Sequence, residues 1–239
     1  MRNDKNIRSL AILGYHKIGP PSPGGWESWY YVPAATFLSQ LRWLCDQGWQ
    51  FISAAALLRG LDEPASLPER AALVTFDDGY RSTLTVALPC LRQFDCPAAL
   101  FLPTDFIGGS NTFDQGMEPT EPICNWDDLR VLERNGVSVQ SHTASHRWLS
   151  QLDVATQTDE LRRSKAVLEA GLNKRIELLS YPYGDAATDI AAVRRAGYRA
   201  AFLFSGDGRV NRGPVTDMYR MPRIAMGPDT DLKAFLEQR

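Results

Sequence analysis

Six short apolar runs alternate with five longer amphipathic stretches, and that rhythm limits this chain to very few architectures. Residues 10–13, 71–76, 98–102, 137–139, 176–180 and 200–204 have the length and apolar character of buried strands. Residues 34–47, 82–94, 126–135, 154–170 and 186–196 carry helical spacing between them. In the first of these, Phe37, Leu41 and Leu44 fall on one face and Gly48 follows as a stop, while Asp153 and Asp185 stand where helix N-caps are expected. Strand–helix alternation on this scale predicts a parallel sheet with helices outside it. At 239 residues the chain can form one large α/β barrel or two small domains. In a barrel, the C-terminal ends of the strands converge on one face.

Chemistry concentrates at those ends. The run Leu73-Val74-Thr75-Phe76 stops abruptly at Asp77-Asp78-Gly79-Tyr80. Delivering two carboxylates at the tip of a buried strand is costly unless they are paired or used. One reading gives one acid to a metal and the other to a proton; the other reading makes either acid a cap for the next helix. Only three histidines occur, and two of them, His142 and His146, lie four apart after a strand-like segment. Neutral imidazole is the commonest nitrogen ligand of zinc-class metals. Joined to the Asp-Asp strand end, the pair supplies two nitrogens and an oxygen, which leaves a fourth position open for water or substrate.

Thr75-Phe76-Asp77-Asp78-Gly79, Ser141-His142-Thr143-Ala144-Ser145-His146 and Tyr181-Pro182-Tyr183-Gly184 resemble, in order, the motifs of the polysaccharide deacetylases, carbohydrate esterase family 4. The likeness covers roughly residues 12–224. It implies an α/β fold, a distorted (β/α) barrel of about seven parallel strands, with residues 1–239 as one catalytic domain; a doubly wound open sheet is the alternative. It further implies Asp77 as general base and Asp78, His142 and His146 as metal ligands. Pro182 and Tyr183 would line the substrate groove, with the Tyr183 backbone N–H serving the oxyanion. Two departures stand out: Ser180 occupies the position of an arginine that normally orients the base, and no histidine follows His146 to act as the late general acid. The early Gly14-Tyr15-His16-Lys17 segment is similar to the branch that deacetylates poly-β-1,6-N-acetylglucosamine, in which the late motifs are circularly permuted to the N-terminus. On that likeness His16 is the general acid, and Arg223 either replaces the missing arginine or is a structural residue. The implied cofactor is a divalent metal, zinc first, with cobalt, nickel or iron as alternatives. The implied partner is an N-acetylated glycan, and the implied reaction is its N-deacetylation. A metal-dependent amidase for a small acylamide or cyclic imide is the alternative enzyme, and a catalytically silent carbohydrate-binding module is the alternative outside enzymes.

The rest of the sequence narrows the field. A net charge of −2 argues against a nucleic-acid partner. Cys45, Cys90, Cys96 and Cys124 show no C-x-x-C spacing and read as thiols, with a single bridge as the alternative. No run has the length of a secretory signal or a membrane span. The expectation is a soluble protein, cytoplasmic if the chain is complete and extracytoplasmic if a signal was removed. No G-x-S-x-G elbow or P-loop supports a serine hydrolase or a nucleotide enzyme. The aromatic stretch 24–31 suits sugar faces or a packed lid or partner contact, the Gly/Pro-containing loop 107–125 is a specificity element or disordered, and Trp148 fits the core.

Overall fold

The computed structural model describes residues 8–204, 210–213 and 215–237. Seven parallel strands form the barrel wall: β1 (Ser9–Tyr15), β2 (Arg70–Phe76), β3 (Ala98–Leu102), β4 (Val137–Ser141), β5 (Leu178–Ser180), β6 (Ala200–Phe202) and β7 (Ile224–Ala225). They pair in chain order from β1 to β6. The wall then closes on itself, because Met221 bridges in parallel to Phe202 while β7 pairs in parallel with β1. Two-residue strands at Gln50–Phe51 and Asn211–Arg212 extend the sheet beside β2 and β1. Outside run α1 (Ala34–Asp46), α2 (Ala54–Asp62), α3 (Leu88–Arg92), α4 (Trp126–Arg134), α5 (Val154–Leu172), α6 (Ile190–Arg195) and α7 (Leu232–Glu237). The distorted (β/α) barrel is the expected fold, and the open sheet is excluded by the closure through β7.

Alternation along each strand sorts side chains into two apolar layers. Leu10, Ile12, Ala71, Leu73, Ala99, Phe101, Leu178, Ala200, Phe202 and Met221 form one cluster inside the wall. Leu13, Tyr15, Val74, Phe76, Leu100 and Val139 face outward against Phe37 and Leu41 of α1, Leu88 and Leu91 of α3 and Leu129 of α4. Both faces of the wall are thus covered, which is why the strands read as unbroken apolar runs. Continuing the inner register past the core reaches His16, Asp77, His142, Ser180, Phe204 and Arg223. The period of a strand therefore decides which residues share the upper mouth of the barrel.

Local chemistry accounts for most element ends. Asp153 caps α5 by accepting from Thr156 N, and Gly48, at φ 75°, follows α1 in the left-handed conformation. Several sequence expectations need correction. Asp185 starts no helix: it accepts from Ser150 N at 2.7 Å, and Asp189 caps the shorter α6. Residues 82–94 are two pieces, a π-helical turn (Thr83–Ala87) running into α3. Two strand limits also shift, β5 beginning at Leu178 and β6 ending at Phe202, each two residues inside the expected span. Helix α2, capped by Ser53, lies outside the five expected helical stretches. Among the described residues no helix is long and apolar enough to cross a membrane.

Candidate active site

The turn after β2 is built by its own sequence. Asp77 extends the ladder, donating its N–H to Tyr15 O at 2.9 Å. Asp78 and Gly79 then both adopt left-handed backbone, at φ 69° and 77°. A Cβ on Gly79 would lie 1.9 Å from Leu102 Cδ1, so the motif needs glycine for space as well as for conformation. Asp77 points inward by strand register, and the reversal after it turns Asp78 toward the residues that follow β4. There, His142 and His146 meet it: their Nε2 atoms stand 3.3 and 3.1 Å from Asp78 Oδ1. His146 reaches that point through two more left-handed residues, itself at φ 57° and Thr143 at φ 64°. Such backbone is unfavourable for a β-branched threonine and persists only where neighbours enforce it. The enforcing group is Glu160 of α5, whose buried carboxylate accepts from Ala144 N, Ser145 N and Ser145 Oγ at 2.9, 2.8 and 2.5 Å. Nothing in the sequence singles out Glu160, since its role depends on a helix packing over a distant turn.

Asp78, His142 and His146 form, among the described residues, the one cluster of three metal-ligating side chains, with ligand atoms within 4.8 Å of one another. The hydrogen bonding tests whether they fit a cation. His142 Nδ1 lies 2.7 Å from Ser180 O, a carbonyl that can only accept. The ring must therefore carry a proton on Nδ1, which leaves Nε2 of the neutral imidazole bare toward Asp78. Asp78 Oδ1 is buried and receives no hydrogen bond among the described residues. Two facing acceptors repel unless a proton or a metal ion lies between them, so the donor set fits a divalent cation. The same geometry explains the charges. Burial opposes ionisation of Asp78, but the two imidazoles hold its carboxyl well below the usual range. Burial pushes His142 down, yet Asp77 and Asp78 together raise it above the ordinary imidazole value.

Asp77 lies beside this cluster with a partner from two strands away, just before β7. Arg223 Nη1 and Nη2 donate to its Oδ1 and Oδ2 at 2.8 and 2.6 Å, a bidentate pair buried at 0% and 2% side-chain exposure. Nη2 also donates to Ser180 Oγ at 2.8 Å, Nη1 to Thr75 Oγ1 at 3.1 Å, and Nε to Leu203 O at 2.9 Å. The guanidinium lies between the rings of Phe101 and Phe204, 5.6 and 5.5 Å from their centroids. Gly14 leaves room for Phe204; a Cβ there would lie 3.1 Å from two carbons of its ring. Ser180, standing where an arginine was expected, donates to Asp77 Oδ2 at 3.1 Å and so shares the Arg223 network. Burial raises Asp77, but Arg223 and His142 outweigh it and leave the carboxyl below its ordinary value.

His16 completes the cavity. Its ring packs against Tyr30 and Phe204, with centroids 4.6 and 4.8 Å away, and its Nε2 points toward Asp78 Oδ2 at 3.9 Å. Burial lowers its proton affinity, overcoming the nearby carboxylates. Tyr183, left-handed at φ 58°, stacks on Trp148 at 4.3 Å and 6° between planes, and packs against His146 at 4.7 Å. Pro182, buried, begins that turn. Trp148 is thus a ledge at 43% exposure rather than core. Loop 107–125 is ordered by Asn111 and by bridges at Ser110–Pro122 and Tyr80–Ile123, and it brings Asp114, Met117 and Glu118 to the site. Together these residues line a cavity of about 360 Å³. All the sequence-selected side chains except Pro182 and Arg223 border it; Arg223 lies beneath, reaching it through Asp77.

The poly-beta-1,6-N-acetyl-D-glucosamine N-deacetylase of Staphylococcus epidermidis is 25% identical over 252 residues, covering 96% of this chain and 82% of that protein. Two solved structures share the fold across nearly the whole chain. The Streptococcus pyogenes deacetylase PplD, in complex with acetate, aligns at a TM-score of 0.81 and 23% identity, covering 97% of this chain and 100% of that one. IcaB from Ammonifex degensii aligns at 0.79 and 24%, covering 93% of each. The polysaccharide deacetylase profile matches residues 65–201, which leaves His16 and Arg223 outside the matched span. With more than half of its length in that match, the chain belongs to the polysaccharide deacetylase family.

Proposed function

We propose that this protein is an N-deacetylase that removes acetyl groups from an N-acetylglucosamine-type polysaccharide or oligosaccharide. The observation that carries this reading is Asp77: a buried carboxylate, outside the metal-ligating cluster, held bidentately beside it at the wall of one cavity. A silent binding module has no use for such a group. The family and the name of the Staphylococcus epidermidis relative support the substrate class.

In this reading Asp78, His142 and His146 hold a divalent cation, zinc first, which when bound polarises the acetyl carbonyl and acidifies water. Asp77, kept ionised by Arg223, takes the proton of the attacking water as its oxygen adds to the acetyl carbon. The Tyr183 N–H donates to the oxyanion that develops on the substrate, an interaction worth about 3 kcal/mol per donor. His16 gives a proton to the departing sugar nitrogen from the opposite wall, so the amine leaves neutral as the C–N bond breaks. The products are acetate and a free amino sugar.

Acetate release from acetylated glucosamine oligomers, measured with zinc-loaded protein, is the direct test; no release at any chain length rejects the proposal. His16→Ala should slow that release by on the order of a hundredfold or more with bound zinc unchanged. Full activity in that variant would assign the leaving-group proton elsewhere. Metal binding should itself depend on pH. His142 is raised in the cation-free protein, so a cation must displace its proton, and affinity falls by about tenfold per unit as pH drops below the His142 value. Calorimetric titration at pH 5.5 and 7.5 checks this, and elemental analysis should show depleted metal in His142→Ala and His146→Ala. Equal affinity at both pH values would exclude these imidazoles as ligands.

A further inference from the structure

One acidic side chain at the catalytic cavity is left over by the mechanism. Asp77 is paired with Arg223, Asp78 faces the imidazoles, and Glu118 binds Lys17 Nζ at 2.7 Å. Asp114 is 8% exposed, lines the same cavity and pairs with no cation among the described residues. Its one side-chain hydrogen bond there comes from the Tyr183 hydroxyl, at 3.2 Å to Oδ1. A carboxylate has about four acceptor sites, so most of this one's capacity remains open. Leaving it in a half-apolar pocket is unfavourable unless an incoming donor meets it.

The backbone holds Asp114 at a fixed point. It closes a single turn (Thr112–Asp114), donating its N–H to Asn111 O at 3.1 Å, while its own carbonyl accepts from Met117 N and Glu118 N at 2.9 and 3.0 Å. Asn111 anchors that turn in the interior: its Nδ2 donates to Pro119 O at 3.0 Å and to Tyr80 Oη at 3.3 Å, and its Oδ1 accepts from Glu121 N at 2.7 Å. The carboxylate is therefore presented rigidly, beside the ledge made by Tyr183 and Trp148. Around it the cavity is lined by Met117, Trp148 and Phe204, which suit the apolar faces of a sugar ring and offer its hydroxyls little.

We infer that Asp114 is a substrate-positioning residue, accepting a hydroxyl hydrogen of the hexosamine ring and thereby setting the preference of the cavity for sugar-borne acetamides over plain acyl compounds. The inference rests on the deacetylase reading and adds to it the group that recognises the sugar. It acts through binding, because Asp114 is not one of the three clustered ligands and leaves the reacting atoms to Asp77 and His16.

The test compares two substrates in one preparation of zinc-loaded protein: a tetramer of β-1,6-linked N-acetylglucosamine, and 4-nitrophenyl acetate, which has no hydroxyl. In Asp114→Asn the ratio of their kcat/KM values should fall roughly ten- to hundredfold, with the change carried mainly by KM for the tetramer. That ratio is independent of the fraction of protein correctly folded. Tyr183→Phe, which frees Oδ1 of its internal partner, should move the ratio less than Asp114→Asn does. An unchanged ratio overturns the inference while leaving the deacetylase reading intact. Loss of bound zinc in Asp114→Asn also overturns it, by making the residue part of the metal environment. If the wild type hydrolyses 4-nitrophenyl acetate but releases nothing from the tetramer, the deacetylase reading and this inference fail together.

Discussion

Asp77→Asn is expected to reduce acetate release by about 10²–10⁴-fold while zinc content stays near that of the wild type. The substitution removes a proton acceptor and almost no volume. The amide that replaces the carboxylate keeps one oxygen for an Arg223 N–H, but its nitrogen must then face the other guanidinium nitrogen, two donors where the native pair has donor and acceptor. Some loss of stability therefore accompanies the loss of activity, and thermal unfolding should be measured alongside turnover. The separation of rate from metal content is the informative part. Parallel loss of both would make Asp77 a ligand, and retained activity would move the base to another group.

Arg223→Ala should be the most destabilising substitution at the site. It strands the Asp77 carboxylate in the interior, a change that typically costs about 3–5 kcal/mol, and it also opens a cavity between Phe101 and Phe204. The pH dependence follows from sign. In the wild type the folded-state value of Asp77 is lowered, so its pairing contributes stability above the ordinary carboxylate value, and that contribution is lost as pH falls through the folded value. Without Arg223, burial remains as the largest influence and raises Asp77. The acidic limb of the pH–rate profile should move to higher pH, and the stability deficit should shrink on acidification, as the stranded carboxyl takes up a proton. Arg223→Lys should recover only part of the loss, since an ammonium cannot span both carboxylate oxygens, Ser180 Oγ and Leu203 O together. An acidic limb that stays in place in Arg223→Ala would show that Arg223 does not control Asp77.

Residues close in sequence were the most legible. Asp77-Asp78-Gly79 carries its own turn, and the four-residue spacing of His142 and His146 lets both rings reach one point once the intervening residues reverse. Strand limits were legible where both faces are buried, as in β3, whereas the two-residue β7 left no apolar run to find. Asp185 failed as a helix start because its carboxylate is taken by Ser150 N, a contact across 35 positions that no local rule contains.

The sequence by itself determined the alternation of strand and helix, and the inner register that carries His16, Asp77, His142 and Ser180 to one mouth, because side-chain direction in a strand has period two. Tertiary structure alone decided that the guanidinium for Asp77 comes from residue 223, that Glu160 holds the turn bearing His146, and that Asp114 faces the cavity with only the Tyr183 hydroxyl donating to it among the described residues. Those three depend on barrel closure, helix docking and loop folding. Each brings together groups whose separation in the chain leaves no periodic trace.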